Sequence, residues 1–221
     1  MCAHVAGAMV VILVTGSPGC GKTTLVRAVA NRVATHAQWR VCGFFSRELR
    51  HGNGQRCGFE LVDAADERLR CTLATAGAGV SGTGPRVSKY VVNVVEMEQF
   101  CGERMEAFLR ENKTNDQASK SQMRKTLFLL DEVGKMELFS HRFRAAARKL
   151  LVDGHAEEAC APVSRAHVLC TIVQKSNDPL VQEIRGLQGP HIEHVQVTTD
   201  NREALVSELS QLLLESSDAP A

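Results

Sequence analysis

Apolar runs and helical periodicities alternate along this chain, and the alternation predicts strands and helices in turn. Val10-Val11-Ile12-Leu13-Val14 has no polar position. A strand of that kind needs cover on both faces, so Val10–Thr15 reads as a central strand of a parallel sheet. Leu25, Val26, Val29 and Val33 then fall on one face of a helix over Thr23–Thr35. Val41-Cys42-Gly43-Phe44-Phe45 marks a strand over Arg40–Ser46, and Cys57–Val62 another. His51-Gly52-Asn53-Gly54 lies between them as turn chemistry, so 44–62 reads as a β-hairpin. Further strands are expected over Arg68–Ala74, Tyr90–Val95, Thr126–Asp131, His167–Val173 and Ile192–Val197. Helices are expected over Glu96–Glu111, Ser140–Val152, Pro179–Gly186 and Asn201–Glu215. The glycine-rich 77–85 stretch reads as a flexible loop, 113–125 as a polar surface insertion, and 216–221 as a frayed tail. Strands alternating with helices define an α/β domain with a mostly parallel central sheet flanked by helices.

Length and charge narrow the picture. The chain has 221 residues, which suits one large domain spanning 1–221. Lys+Arg 26 against Asp+Glu 25 gives a net charge of +1, with no electrostatic footprint for nucleic acid or an anionic membrane. The apolar stretch from Ala8 to Val14 is too short to cross a bilayer and has no basic flank before it. A cytoplasmic protein is the expectation. The eight cysteines form no C-x-x-C pair and read as small residues of a reducing compartment. Cys20 stands apart, because a thiol in its loop would be exposed when no nucleotide is bound. His155, Cys160, His167 and Cys170 fit no common zinc spacing, nor do His191 and His194.

The chemistry begins where the first strand ends. Gly16-Ser17-Pro18-Gly19-Cys20-Gly21-Lys22-Thr23-Thr24 has the G-x-x-x-x-G-K-T spacing of a phosphate-binding loop. Its glycines let backbone N–H groups converge on an anion, and the helix it opens points its positive end at the same place. Lys22 is expected to reach β- and γ-phosphates, and the Thr23 hydroxyl to ligate Mg²⁺. All nine residues, Gly16 to Thr24, are the candidate nucleotide-binding set.

Leu127-Phe128-Leu129-Leu130-Asp131-Glu132 is a buried-strand pattern with two acids at its carboxyl end, the edge where ligands bind in open α/β sheets. Asp131 is expected to hold Mg²⁺, and Glu132 to polarise a water for in-line attack on the γ-phosphorus. The Asp-Glu pair suits a hydrolase better than a kinase, which excludes water. A nucleotide or small-molecule kinase, and a slow nucleotide-dependent switch protein, are the alternatives. The guanine-reading N-K-x-D signature is missing. Gln174-Lys175-Ser176-Asn177-Asp178 approaches it but carries Gln first and its Asp one position late.

Asp131-Glu132-Val133-Gly134-Lys135-Met136-Glu137-Leu138 resembles the D-E-[IV]-G-K-M-E-L signature of the small nucleoside-triphosphatases first known from thermophiles, whose animal member is the cancer-related nucleoside-triphosphatase. Gly43-Phe44-Phe45-Ser46-Arg47-Glu48-Leu49-Arg50 with Arg56-Cys57-Gly58-Phe59, Arg86-Val87-Ser88-Lys89-Tyr90-Val91-Val92, and Asn201-Arg202 resemble further blocks of that family. Ser88 replaces the family's glycine and is expected to alter a tight turn. The resemblance implies a RecA-like P-loop fold. It also implies Mg²⁺-dependent hydrolysis of ATP, GTP, CTP and UTP to diphosphate and phosphate, with broad base tolerance. The matched blocks offer Arg50, Arg56, Lys89 and Lys135 as candidate contacts for phosphate or transition-state charge.

Overall fold

The computed structural model describes residues 9–76, 84–114, 124–153 and 166–215. The loop expected over 77–85 lies largely outside these residues. So do most of the 113–125 insertion and the whole 216–221 tail.

Nine strands among the described residues form one sheet in the order β5-β6-β4-β3-β2-β7-β8-β1-β9. The strands are β1 (Val11–Gly16), β2 (Trp39–Arg50), β3 (Arg56–Asp63), β4 (Arg70–Ala76), β5 (Arg86–Val87), β6 (Tyr90–Val92), β7 (Lys125–Val133), β8 (Ala166–Ile172) and β9 (Ile192–Val197). From β2 to β9 all neighbours are parallel, and from β2 to β5 all are antiparallel. The helices are α1 (Lys22–Ala34), α2 (Val94–Thr114), α3 (His141–Arg148), α4 (Pro179–Arg185) and α5 (Arg202–Glu215).

The apolar run that predicted β1 is buried on both faces because helices cover both. Val11 and Leu13 pack into the core formed with α2, α3 and α4. Val10, Ile12 and Val14 pack into the core formed with α1 and α5. Truncating the fully buried Ile12 or Leu13 to Ala would cost about 2–5 kcal/mol.

Several expected boundaries shift, and three of them near the site have a clear local form. The strand expected over 90–95 stops at Val92, because the Asn93 side chain accepts from Glu96 N at 3.4 Å and caps α2. Val94 and Val95 therefore enter the first helical turn, and Val95 is left 78 % exposed. The helix expected over 140–152 divides into parts. A 3₁₀ turn at Glu137–Phe139 precedes it, Ser140 caps α3 by accepting from Phe143 N at 2.9 Å, and a π-helical turn follows over Lys149–Asp153. The strand expected to end at Asp131 runs on to Val133, so Glu132 also lies inside β7.

Strand β2 joins the two halves of the sheet. Trp39 to Phe44 pair in parallel with Lys125 to Leu130 of β7. Phe44 to Arg50 then pair antiparallel with β3 as the expected hairpin. Because β2 outlasts its parallel pairing, Ser46 emerges beside the residue after Leu130, which is Asp131.

Candidate active site

The phosphate loop leaves β1 and turns into α1 at Gly21, which holds the left-handed backbone (φ 96°) that a side chain would strain. Gly16 is needed for a different reason. A Cβ there would lie 2.7 Å from both Cys20 Sγ and the Val197 carbonyl oxygen. Ser17, Pro18, Gly19 and Thr24 are exposed. Cys20 is a correction: its thiol is buried at 8 % exposure, packed under the loop with α1. It fills the space beside Gly16 and anchors the loop. The Lys22 ammonium spans the loop, donating to the carbonyls of Gly16 at 3.1 Å and Ser17 at 3.5 Å.

Asp131 faces this loop and is almost fully buried. Its Oδ2 accepts from Thr23 Oγ1 at 2.8 Å, and from the amide and hydroxyl of Ser46 at 3.1 Å each. Its Oδ1 accepts from Thr171 Oγ1 at 2.5 Å. Thus α1, β2 and β8 converge on one carboxylate, and every polar atom is satisfied, as a buried charge requires. The pairing of β7 with β8 shifts register between Leu130 and Val133, where Asp131 and Glu132 face the single residue Thr171. Irregularities of this kind re-aim side chains at the rims of sheets. The Asp131–Glu132 peptide is cis.

Glu132 is half-buried next to Asp131. Burial and then the Asp131 carboxylate push its carboxyl above the usual range, while Lys22 opposes them. Glu137, in the following 3₁₀ turn, is buried on all sides. Burial first, and then Glu132, push its carboxyl up to about 8, against its own amide and that of Gly134. Gly134 brings the two carboxyls together. A Cβ on it would lie 2.6 Å from Glu132 Oε1 and 2.9 Å from Glu137 Oε2, so any side chain there would separate them.

The four candidate cations are not brought together. Arg50 pairs with Glu48 and donates to the Gly54 carbonyl at 2.8 Å, and Arg56 pairs with the same Glu48 at the far end of the hairpin. Lys89 lies 5.5 Å from the Tyr90 ring in the antiparallel extension. Lys135 is exposed in the turn directly after the acids. Near Lys89, Ser88 takes a left-handed backbone (φ 55°), a conformation that a glycine would hold without strain.

Sequence reasoning assigned no role to Ser46, Thr171 or Glu137. Ser46 sits inside a matched block, and Thr171 is a hydroxyl within the fully buried strand β8, which is a signal in itself. The loop that approached N-K-x-D has other employment. Gln174 Oε1 accepts from Ser17 Oγ at 3.3 Å, and Asp178 caps α4 through Leu180 N at 3.0 Å while pairing with Arg144. His167 is a neutral core residue. It is 2 % exposed, its Nδ1 accepts from Val10 N at 3.3 Å, and burial lowers its pKa to about 4. Of the other three residues in that zinc-like set, Cys170 is fully buried in β8, and His155 and Cys160 lie outside the described residues. Burial pushes the Cys42 and Cys71 thiols up to about 12, consistent with inert packing residues. No helix among the described residues is long and apolar enough to cross a membrane.

A loop of this geometry on a parallel sheet, with a buried acid facing its threonine, defines a P-loop α/β protein. Comparison with known proteins narrows the class. A family model described as NTPase matches residues 11–210, and the chain belongs to that family. It is 30 % identical over 203 residues to the nucleoside-triphosphatase THEP1 of Aquifex aeolicus, covering 91 % of this chain and 98 % of that protein. It is 32 % identical over 201 residues to the cancer-related nucleoside-triphosphatase homolog of Bos taurus, covering 90 % and 93 %. The crystal structure of Aquifex aeolicus THEP1 superimposes with a TM-score of 0.70 at 29 % identity, over 92 % of this chain and 98 % of that one.

Proposed function

We propose that the protein hydrolyses nucleoside 5′-triphosphates to the diphosphate and phosphate, with Mg²⁺ and with little regard for the base. The observation that carries this reading is the 2.8 Å contact between Thr23 Oγ1 and Asp131 Oδ2. It joins the phosphate loop to the acid of β7, with Glu132 adjacent. Thr23 Oγ1, Asp131 Oδ2 and Ser46 Oγ form an all-oxygen cluster suited to a hard cation, and these residues would hold Mg²⁺. When bound, the ion would neutralise charge on the β- and γ-phosphoryl oxygens.

The remaining steps belong to the chain's own residues. Loop amides and Lys22 hold the triphosphate, Lys22 exchanging its carbonyl partners for phosphate oxygens. Glu132 orients a water and accepts its proton as the oxygen bonds to the γ-phosphorus. The bond from that phosphorus to the β–γ bridging oxygen breaks, and the diphosphate leaves. A carboxyl with a raised pKa is the better base near neutrality.

Base tolerance is supported by the partners of the two side chains that most resemble a guanine-reading pair. The two side chains nearest to a guanine-reading pair, Gln174 and Asp178, are engaged elsewhere. Discrimination then rests on packing around the ring, about 1–3 kcal/mol. The test is phosphate release from ATP, GTP, CTP and UTP, with and without Mg²⁺, in the absence of any acceptor. Mg²⁺-dependent release with kcat/KM values within about two decades supports the reading. Turnover that needs an added acceptor would make the protein a kinase. A preference for one base above about ten-thousand-fold would point to a dedicated base pocket and a switch.

A further inference from the structure

We infer that Arg202 is a nucleotide-binding residue, its guanidinium forming a flat stacking surface for the nucleobase. The inference rests on the nucleotide reading above and extends it to the other end of the ligand.

Arg202 opens α5, and its side chain lies across the phosphate loop. A Cβ built on Gly21 would sit 2.7 Å from Arg202 Nη1, 2.8 Å from its Cδ and 3.5 Å from its Cζ. The preceding loop fixes this placement. Asn201 Oδ1 accepts from Thr198 N at 2.8 Å, Asn201 Nδ2 donates to the Gln196 carbonyl at 2.9 Å, and Asn201 N donates to Thr198 Oγ1 at 3.2 Å. The Arg202 head is held less firmly. Its carboxylate partner, Glu203, is the next residue, lies 3.2 Å away and is 82 % exposed. Exposed pairs of this kind are weak and exchange readily.

The topology decides which end of a nucleotide meets it. Strand β1 lies between β8 and β9. Asp131, Ser46 and Thr171, which define the γ-phosphate end, all stand on the β8–β7–β2 side. Arg202 stands on the β9 side. A triphosphate anchored at Asp131 therefore leaves the loop with its nucleoside toward Arg202. A guanidinium is planar and weakly hydrated, and it stacks on aromatic faces without reading their edges. Every base offers such a face. That matches the engagement of Gln174 and Asp178, the side chains most like a base-reading pair, with Ser17 and α4.

The experiment measures binding, not turnover. Calorimetry compares adenosine 5′-(β,γ-imido)triphosphate, its uridine analogue and inorganic tripolyphosphate, each with Mg²⁺, on wild type, Arg202→Ala and Arg202→Lys. Arg202→Ala should weaken the adenosine ligand about tenfold, the uridine ligand less, and tripolyphosphate less than about twofold. Arg202→Lys keeps a charge and a stem over Gly21, and should still bind the adenosine ligand about threefold or more weakly than wild type. It carries the test if the alanine variant fails to fold. Unchanged adenosine binding in either variant overturns the inference. So does full recovery by lysine, or an equal loss for tripolyphosphate, which would make Arg202 a phosphate ligand. Wild type that binds these ligands but releases no phosphate from ATP would sink the hydrolase proposal and leave this one standing.

Discussion

The parallel half of the sheet and its antiparallel extension share strand β2 yet differ in what they do with charge. In the parallel half, the polar groups gathered around Asp131 are few and drawn in from solvent. Asp131 collects four donors from three elements, and Glu132 and Glu137 meet over Gly134. In the extension, the candidate cations pair with a carboxylate on the hairpin itself, as Arg50 and Arg56 do with Glu48. Burial makes the first set strong and easily perturbed, and solvent makes the second weak. A charged residue in a matched block is therefore not a site residue until its surroundings are known.

Substitutions can break or sharpen that contrast. The largest effect is expected from Lys22→Ala, which should abolish phosphate release and weaken triphosphate binding more than diphosphate binding. Wild-type turnover in the purified variant would remove the loop from the site. The two acids should then separate. Glu132→Gln keeps shape and loses basicity, so turnover should fall roughly 10²-fold or more while Mg²⁺–nucleotide binding persists. Asp131→Asn should instead raise the Mg²⁺ concentration needed for half-maximal rate. Identical behaviour of the two variants would mean that the acids share one role.

Glu137 offers a test by pH. Its ordinary value is 4.5 and its folded value is about 8. Between these the folded protein keeps a proton that the unfolded chain has lost, so its stabilising share is present at low pH and fades as pH rises toward 8. Glu137→Gln cannot ionise. In nucleotide-free protein it should raise Tm at pH 8 by about 3 °C or more, with a smaller gain at pH 5. An equal change at both pH values would mean that the carboxyl titrates normally.

The extension should answer more quietly. Ser88→Gly relieves a left-handed backbone and should add about 1 kcal/mol, or roughly 2–4 °C in Tm, without touching turnover. A loss of stability would show that the serine side chain compensates for its backbone. Smallest of all, Arg50→Ala and Arg56→Ala should leave turnover within about threefold of wild type, because both cations pair with Glu48 in the hairpin, away from the phosphate loop. A hundredfold loss from either would place transition-state charge in the extension and end the contrast.

Much of the parallel half was legible from the sequence because its signals are local. A five-residue apolar run needs two covered faces, and glycine spacing followed by Lys-Thr describes one continuous turn. Strand β9 was read to the residue, Ile192–Val197. Boundaries failed where a single side chain outweighed a trend, as when Asn93 capped a helix inside a run of valines. Cys20 was misread because nothing near it in sequence tells that Gly16 leaves room for its sulfur.

The sequence by itself determined the alternating architecture, the phosphate loop, the acid pair and the hairpin, since each is written in neighbouring residues. Tertiary structure decided what those parts meet. Ser46 and Thr171 reach Asp131 from positions 85 and 40 residues away, and Arg202 lies over Gly21 from the opposite flank of the sheet. Such meetings depend on strand order and register, which hydrophobic pattern constrains only loosely. The pKa values of Glu132 and Glu137 depend on them in turn, because desolvation and a neighbouring charge are properties of packed space and not of residue type.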